Sequence, residues 1–137
     1  QSIQLIVQGG FANMSQIKKF DLKYSYDIEV DSIFIKITEN YKYQESLELE
    51  DGIILDFSEE GIPVALEILD ISNLFSVKKD CFNNIENINI TIAITNSSIS
   101  LNLLMELLIN NEKIDQPFST VAKNIINVPE MEVICYC

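Results

Sequence analysis

The feature that most restricts the fold of this chain is alternation. Ile88, Ile90, Ile92 and Ile94 are separated by Asn89, Thr91 and Ala93. Beyond Asn96-Ser97-Ser98 the same period resumes at Ile99, Leu101, Leu103, Met105, Leu107 and Ile109. Successive side chains of a strand point to opposite faces, so a period of two predicts half-buried strands with one apolar face. Within 101–109 a helical face is also present, formed by Leu101, Leu104, Met105 and Leu108, so strand and helix both stay open there.

The first half repeats the pattern. Phe20, Leu22, Tyr24 and Tyr26 alternate with Asp21, Lys23 and Ser25. Asp27 to Ser32 reads as a polar, solvated link with Asp31 ending the turn, and Ile33, Ile35 and Ile37 form the returning strand. Asn40 to Gln44 reads as a loop, followed by strands at Ser46–Glu50, Ile53–Phe57 and Pro63–Leu69. Asp51-Gly52 and Glu60-Gly61 supply the turns, since glycine takes positive φ at little cost. Pro63 is confined to a strand start because it lacks the N–H that a ladder needs.

The alternation breaks between residues 70 and 86. There Asp70 or Ser72 is placed to cap a short helix, and Lys79 to Glu86 holds a second helical turn. Ile114–Ala122 and Ile125–Cys135 read as two final strands, with Pro129 placing the last one at a sheet edge. The expected class is mainly β, α+β at the margin: eight or nine strands in antiparallel meanders, with one or two short helices near residues 70–86. Two meanders joined by a helical link predict two sheets or one continuous curved sheet. Residues 1–13 read either as an expression or upstream remnant, with Met14 the native start, or as an edge strand ended by Gly9-Gly10. Residues 14–72 form the first meander, and 73–137 a β-rich extension packed on it as one domain.

Composition narrows the chemistry. The chain has nine lysines, twenty-one carboxylates and no Arg, His or Trp, for a net charge of -12. Without His there is no Ser-His-Asp or Cys-His nucleophile system. Without Arg there is no bidentate recognition of phosphates or bases, and the net charge repels nucleic acid and anionic lipid. No apolar run approaches a membrane span. Cys81, Cys135 and Cys137 form no regular framework, which predicts a reducing, cytoplasmic setting and no metal. Asp27-x-Glu29-x-Asp31 begins like a calcium loop, but Ser32 and Thr38 stand where that loop needs Gly and Glu.

The acidity is uneven. Residues 1–70 hold fourteen carboxylates against five lysines, and the remainder seven against four, so the halves carry -9 and -3. Glu48 and Glu50 share one face of a strand, with Asp56 and Glu67 on neighbouring strands. Together with Tyr41 and Tyr43 they form the candidate interaction surface. Two carboxylates facing across a cleft would instead serve acid–base hydrolysis.

The run Tyr26-Asp27-x-Glu29-x-Asp31-x-x-Phe34-Ile35-x-Ile37, with Glu45-Ser46, Asp51-Gly52-Ile53-Ile54-x-Asp56-Phe57, Gly61, Val64 and Glu67-Ile68-Leu69-Asp70, resembles domain of unknown function family 2283. The likeness covers about a third of the chain, and the second half is similar to longer archaeal versions from methanogens. The resemblance implies no catalytic residue and no cofactor. It also implies, for some members, genes beside small toxin-like proteins. The expected role is therefore non-enzymatic: protein contact, chiefly self-association as a homodimer, with no nucleic acid and no membrane partner. The alternatives are an antitoxin-like protein neutralising a small basic partner, and a small carboxylate-dependent hydrolase.

Overall fold

The alternating segments form strands in the computed structural model, which describes residues 4–7, 10–13 and 16–137, with burial defined from Gln16 onward. In chain order the elements are β1 (Gln4–Val7), β2 (Gly10–Asn13), β3 (Gln16–Asp27), β4 (Ser32–Ile37), β5 (Tyr43–Glu50), β6 (Ile53–Ser58) and β7 (Pro63–Ile68). A helix α1 (Ile71–Phe75) and a 3-10 turn (Lys79–Phe82) follow, then β8 (Ile85–Ile94), β9 (Ser98–Ile109), β10 (Glu112–Lys123) and β11 (Met131–Tyr136). Among the described residues β1 and β2 pair with each other, antiparallel, as a separate two-stranded sheet. Met14 and Gly9, on which the reading of the first residues turned, lie outside the described residues.

The other nine strands make one curled sheet in the order β10-β9-β8-β11-β3-β4-β7-β6-β5. Two expectations need correction here. The last strand is not at an edge: β11 lies between β8 and β3. It runs parallel to β3 and antiparallel to β8, so the sheet is mixed. Pro129 does not oppose this placement, because it precedes Met131 and its missing N–H falls outside the ladder. The edges are instead β5 and β10, which come within 8 Å of each other without forming a ladder.

β3 holds the two halves together. Its first part, Gln16 to Asp21, pairs with β11, and its second part, Leu22 to Asp27, pairs with β4. One strand thus serves two ladders, and the sheet folds over at that point into two facing layers. The core lies between them: Ile35, Leu55 and Leu66 from one half meet Ile90, Ile92 and Cys135 from the other, around a void of only about 10 Å³. That is at most the space of a single water. Burial pushes the Cys135 thiol up to about 12, so it behaves as an apolar filler. Cys137 is exposed just past β11, and all three thiols are free.

Period two prevails over the helical face in residues 101–109. Leu101, Leu103, Met105 and Leu107 are almost fully buried, whereas Leu104 and Leu108, which a helix would bury beside them, are 38% and 41% exposed. Tyr43 already belongs to β5, so the expected loop at 40–44 is shorter than read. The helical link closes one end of the core. Phe75 stacks on Phe82 with ring centroids 6.2 Å apart, and Phe82 meets Tyr26 of β3 at 5.3 Å.

Candidate interaction surface

The ladder registers fix which residues share the outer side of the sheet. In the first half, one row reads Ser25, Phe34, Glu67, Ile54 and Glu48 across β3, β4, β7, β6 and β5. The adjacent row reads Lys23, Lys36, Ala65, Asp56 and Ser46. Half of these ten positions are charged. The expected residues Glu48, Asp56 and Glu67 therefore do share one face, and exposed Glu50 extends it at the end of β5. They do not face one another across a cleft. Ile54 stands between Glu48 and Glu67, which sit two strand spacings, ~10 Å, apart on an open sheet.

Local bonds fix several of these groups. Ser46 Oγ donates to Asp56 Oδ1 at 2.6 Å and lies 2.7 Å from the Tyr43 hydroxyl, making a short polar chain along the β5–β6 edge. Glu48 Oε2 accepts from the Gly52 N–H at 3.3 Å, and Glu67 Oε2 from Ser32 Oγ at 3.4 Å. The two tyrosines part company. Tyr43 is 57% exposed on this face, whereas Tyr41 packs partly against the core. Burial, with a smaller contribution from the Asp56 charge, raises the Tyr41 phenol above its usual value. Tyr41 also lines a groove of about 580 Å³ with Phe20, Ile62, Glu39, Glu59 and Glu60, whose three glutamates are all exposed.

The outer side of the second half is different. Three of its rows read Pro117, Leu104, Asn89 and Tyr136; then Ser119, Asn102, Thr91 and Ile134; then Val121, Ser100, Ala93 and Glu132, while the next row, Asp115, Glu106 and Asn87, and the strand ends at Lys113 and Lys123 are charged. Among the twelve positions of those three rows Glu132 is the sole charge.

A residue read as solvated proves to be central. Asp31 is only 5% exposed. Its carboxylate accepts from the Tyr26 hydroxyl at 2.7 Å, the Ser72 hydroxyl at 2.6 Å and the Ser72 N–H at 3.2 Å. Its main-chain oxygen accepts from the Ile71 N–H at 3.1 Å. Asp31, from the β3–β4 turn, thus satisfies the free N–H groups at the start of α1. Asp70, which occupies the cap position with φ +56°, makes no capping bond, and Ser72 is a donor to Asp31 rather than a cap. Burial pulls the Asp31 pKa upward, but the Ser72 and Tyr26 bonds and the Lys79 charge outweigh it, and the net shift is down. Burial and the bond to Asp31 raise the Tyr26 phenol. The missed signal was parity: Asp31 has the same odd parity as inward-facing Ile33, Ile35 and Ile37.

Among the described residues, no group of three or more Cys, Asp or Glu is arranged to hold a metal ion. None of their helices is long and apolar enough to cross a membrane.

Comparison with known proteins places this arrangement. The family described as "Protein of unknown function (DUF2283)" matches residues 23–72. A Methanosarcina mazei protein named "Putative hypoxanthine phosphoribosyltransferase" is 39% identical over 107 residues, 78% of this chain and 85% of that one. An uncharacterized protein of Methanocaldococcus jannaschii is 34% identical over 114 residues, 82% and 97% of the two chains. The chain belongs to the DUF2283 family. No solved structure matches it. The DUF2283 segment spans the second part of β3, all of β4 to β7 and the start of α1. It ends at Ser72, so Tyr26, Asp31 and both bonding groups of Ser72 lie inside it. The two relatives align over more residues than the 72 that end the segment, so their likeness runs on into the second half.

Proposed function

We propose that this protein is a non-enzymatic, cytoplasmic contact module that works by binding protein, chiefly a second copy of itself. The observation that carries this reading is where the space is. The void where the two halves meet holds only about 10 Å³, and the groups that sequence marks for function stand mainly on outward sheet faces. A catalyst needs reacting groups converging on an enclosed substrate, whereas a flat sheet face suits contact with protein.

The name of the Methanosarcina mazei relative points elsewhere, to a phosphoribosyl donor. Recognition of phosphate draws on Arg or Lys, glycine-rich cradles or helix N-termini. This chain has no Arg and a charge of -12. Gly52 and Gly61 sit singly in hairpin turns, and α1 is five residues long. The hydrolase reading is supported no better. Glu48, Asp56 and Glu67 are spread over an open face, and the glutamates of the groove are exposed to solvent.

Sedimentation equilibrium at micromolar concentration tests the reading, with a dimer mass expected and a strict monomer counting against self-association. The charged rows of the first half favour a second reading, an antitoxin-like contact with a small basic protein. Acidic residues would steer such an encounter and make it salt-sensitive. Pull-down with the product of the adjacent gene is then expected to enrich a basic partner, and no enrichment removes that reading.

A further inference from the structure

We infer that the β3–β4 turn and the outer sheet beside it form a docking groove for a partner segment in which lysine or arginine alternates with apolar side chains. This rests on the second reading above, contact with a small basic protein, and names the surface used.

Turn chemistry comes first. Ile28, Glu29, Val30 and Asp31 join β3 to β4. Turns draw on Gly, Asn, Asp, Ser and Pro, which preset or tolerate the backbone angles. Asp31, at φ +53°, meets that need. Ile28 and Val30 do not, and they do not fill the core either, being 45% and 65% exposed. With half-buried Phe34 they line one groove of about 600 Å³. Apolar side chains grouped in this way, serving neither turn nor core, mark a contact surface.

Charge selects the occupant. Asp27, Glu29 and Glu67 line the same groove, and among the described residues no lysine does. The groove of Tyr41, by contrast, holds Lys42 among its glutamates. Along Asp27-Ile28-Glu29-Val30 acid and apolar residues alternate, so a complementary segment interleaves cations with apolar side chains. A lysine or arginine stem covers apolar surface while its head reaches a carboxylate. A second copy seated here would set these carboxylates against their own kind. A metal ion is not favoured, because the Asp31 carboxylate is turned onto Tyr26 and Ser72, away from Asp27 and Glu29. Those same bonds tie the turn to β3 and α1, so the groove is held in shape before a partner arrives, which lowers the cost of binding.

The test uses the full chain and fluorescence anisotropy of a labelled decapeptide of alternating lysine and leucine, with circular dichroism to verify the fold. Wild type is expected to bind it at micromolar concentration, and to bind a lysine–serine decapeptide about tenfold more weakly. Glu29→Gln with Val30→Ser, both exposed, is expected to weaken the lysine–leucine peptide about tenfold. Glu59→Gln with Glu60→Gln removes two charges at the far end of β6 and β7 and is expected to leave binding unchanged. Equal weakening by the two double variants, or equal binding of the two peptides, means attraction to net charge alone. Either result overturns this inference while the basic-partner reading stands. No binding of either peptide also overturns it, and the basic-partner reading is then decided by the pull-down alone. A sedimentation mass altered by Glu29→Gln with Val30→Ser would assign the face to a second copy. Calcium chloride bound by wild type and not by that variant would assign it to a cation. Both results overturn the inference.

Discussion

The two halves of the sheet share a core but solve their exteriors and their polar fastenings in opposite ways. The first half carries charged outer rows and is fastened to the helical link by a buried charge, Asp31. The second half carries outer rows with fewer charges and is fastened by a buried amide. Asn124 is 7% exposed; its Nδ2 donates to the Thr95 and Val128 carbonyls at 2.9 and 3.0 Å, and its Oδ1 accepts from the Val128 N–H at 3.1 Å. Both side chains bond main-chain groups where the chain leaves regular structure, Asp31 at the start of α1 and Asn124 just past the end of β8. Among the described residues no buried side-chain polar atom is left without a partner. The difference teaches that a buried polar fastening does not require a charge. A charge adds bond strength and a dependence on pH, and the amide supplies geometry alone.

Removing the charged fastening should do most damage. Asp31→Ala strands the Tyr26 hydroxyl and the Ser72 donors in a buried setting, with an expected loss of about 4 kcal/mol in chemical denaturation. Gly61→Ala should follow, at about 3 kcal/mol. Gly61 has φ +78°, and a Cβ there would lie 2.7 Å from Pro129 Cδ, so strain and overlap add where the two halves touch. Asn124→Ala should cost about 2 kcal/mol, leaving neutral groups unpaired.

Acid sharpens the contrast. The Asp31 pKa is lowered on folding, so its contribution is complete above the unfolded value of 3.8 and is lost as pH falls through the folded value. Stability measured from pH 7 downward should therefore drop below about pH 4. That acid limb should flatten in Asp31→Asn and persist in Asn124→Ala. The smallest effect is expected from Glu48→Gln with Glu67→Gln. Stability should move by no more than about 0.5 kcal/mol, because both carboxylates stand on the outer face and make only single long hydrogen bonds, while any binding of a basic partner should lose salt dependence.

Strand identity was legible because burial on one face imposes a period that local sequence records. It held even at residues 101–109, where Leu104 and Leu108 are free to be apolar on the outside. Placement within the sheet was less legible. Pro129 suggested an edge, yet the pairing of Met131–Tyr136 with Gln16–Asp21 joins segments more than a hundred residues apart, and no local period encodes it. Strand parity also records the shared outward side of Glu48 and Glu50, while the ladder registers are needed to bring Asp56 and Glu67 beside them. Applied one step earlier, the same parity would have turned Asp31 inward. It was read outward because a carboxylate between Glu29 and Ser32 has the composition of a turn. Its partner Ser72 lies forty-one residues away, beyond the reach of spacing.

The position of β11 has a consequence for the order of assembly. In synthesis it emerges after every other strand of the sheet, yet it belongs near the middle. Until it arrives, β8 and the first part of β3 each present an unpaired edge, and the two meanders have only the link and facing side chains in common. The two ladders of β11, antiparallel to β8 and parallel to β3, are what join the two half-sheets into one. A nascent chain of this protein therefore carries two open edges for the whole time needed to make residues 95–130. One of those edges, on β3, belongs to the first half and the other, on β8, to the second.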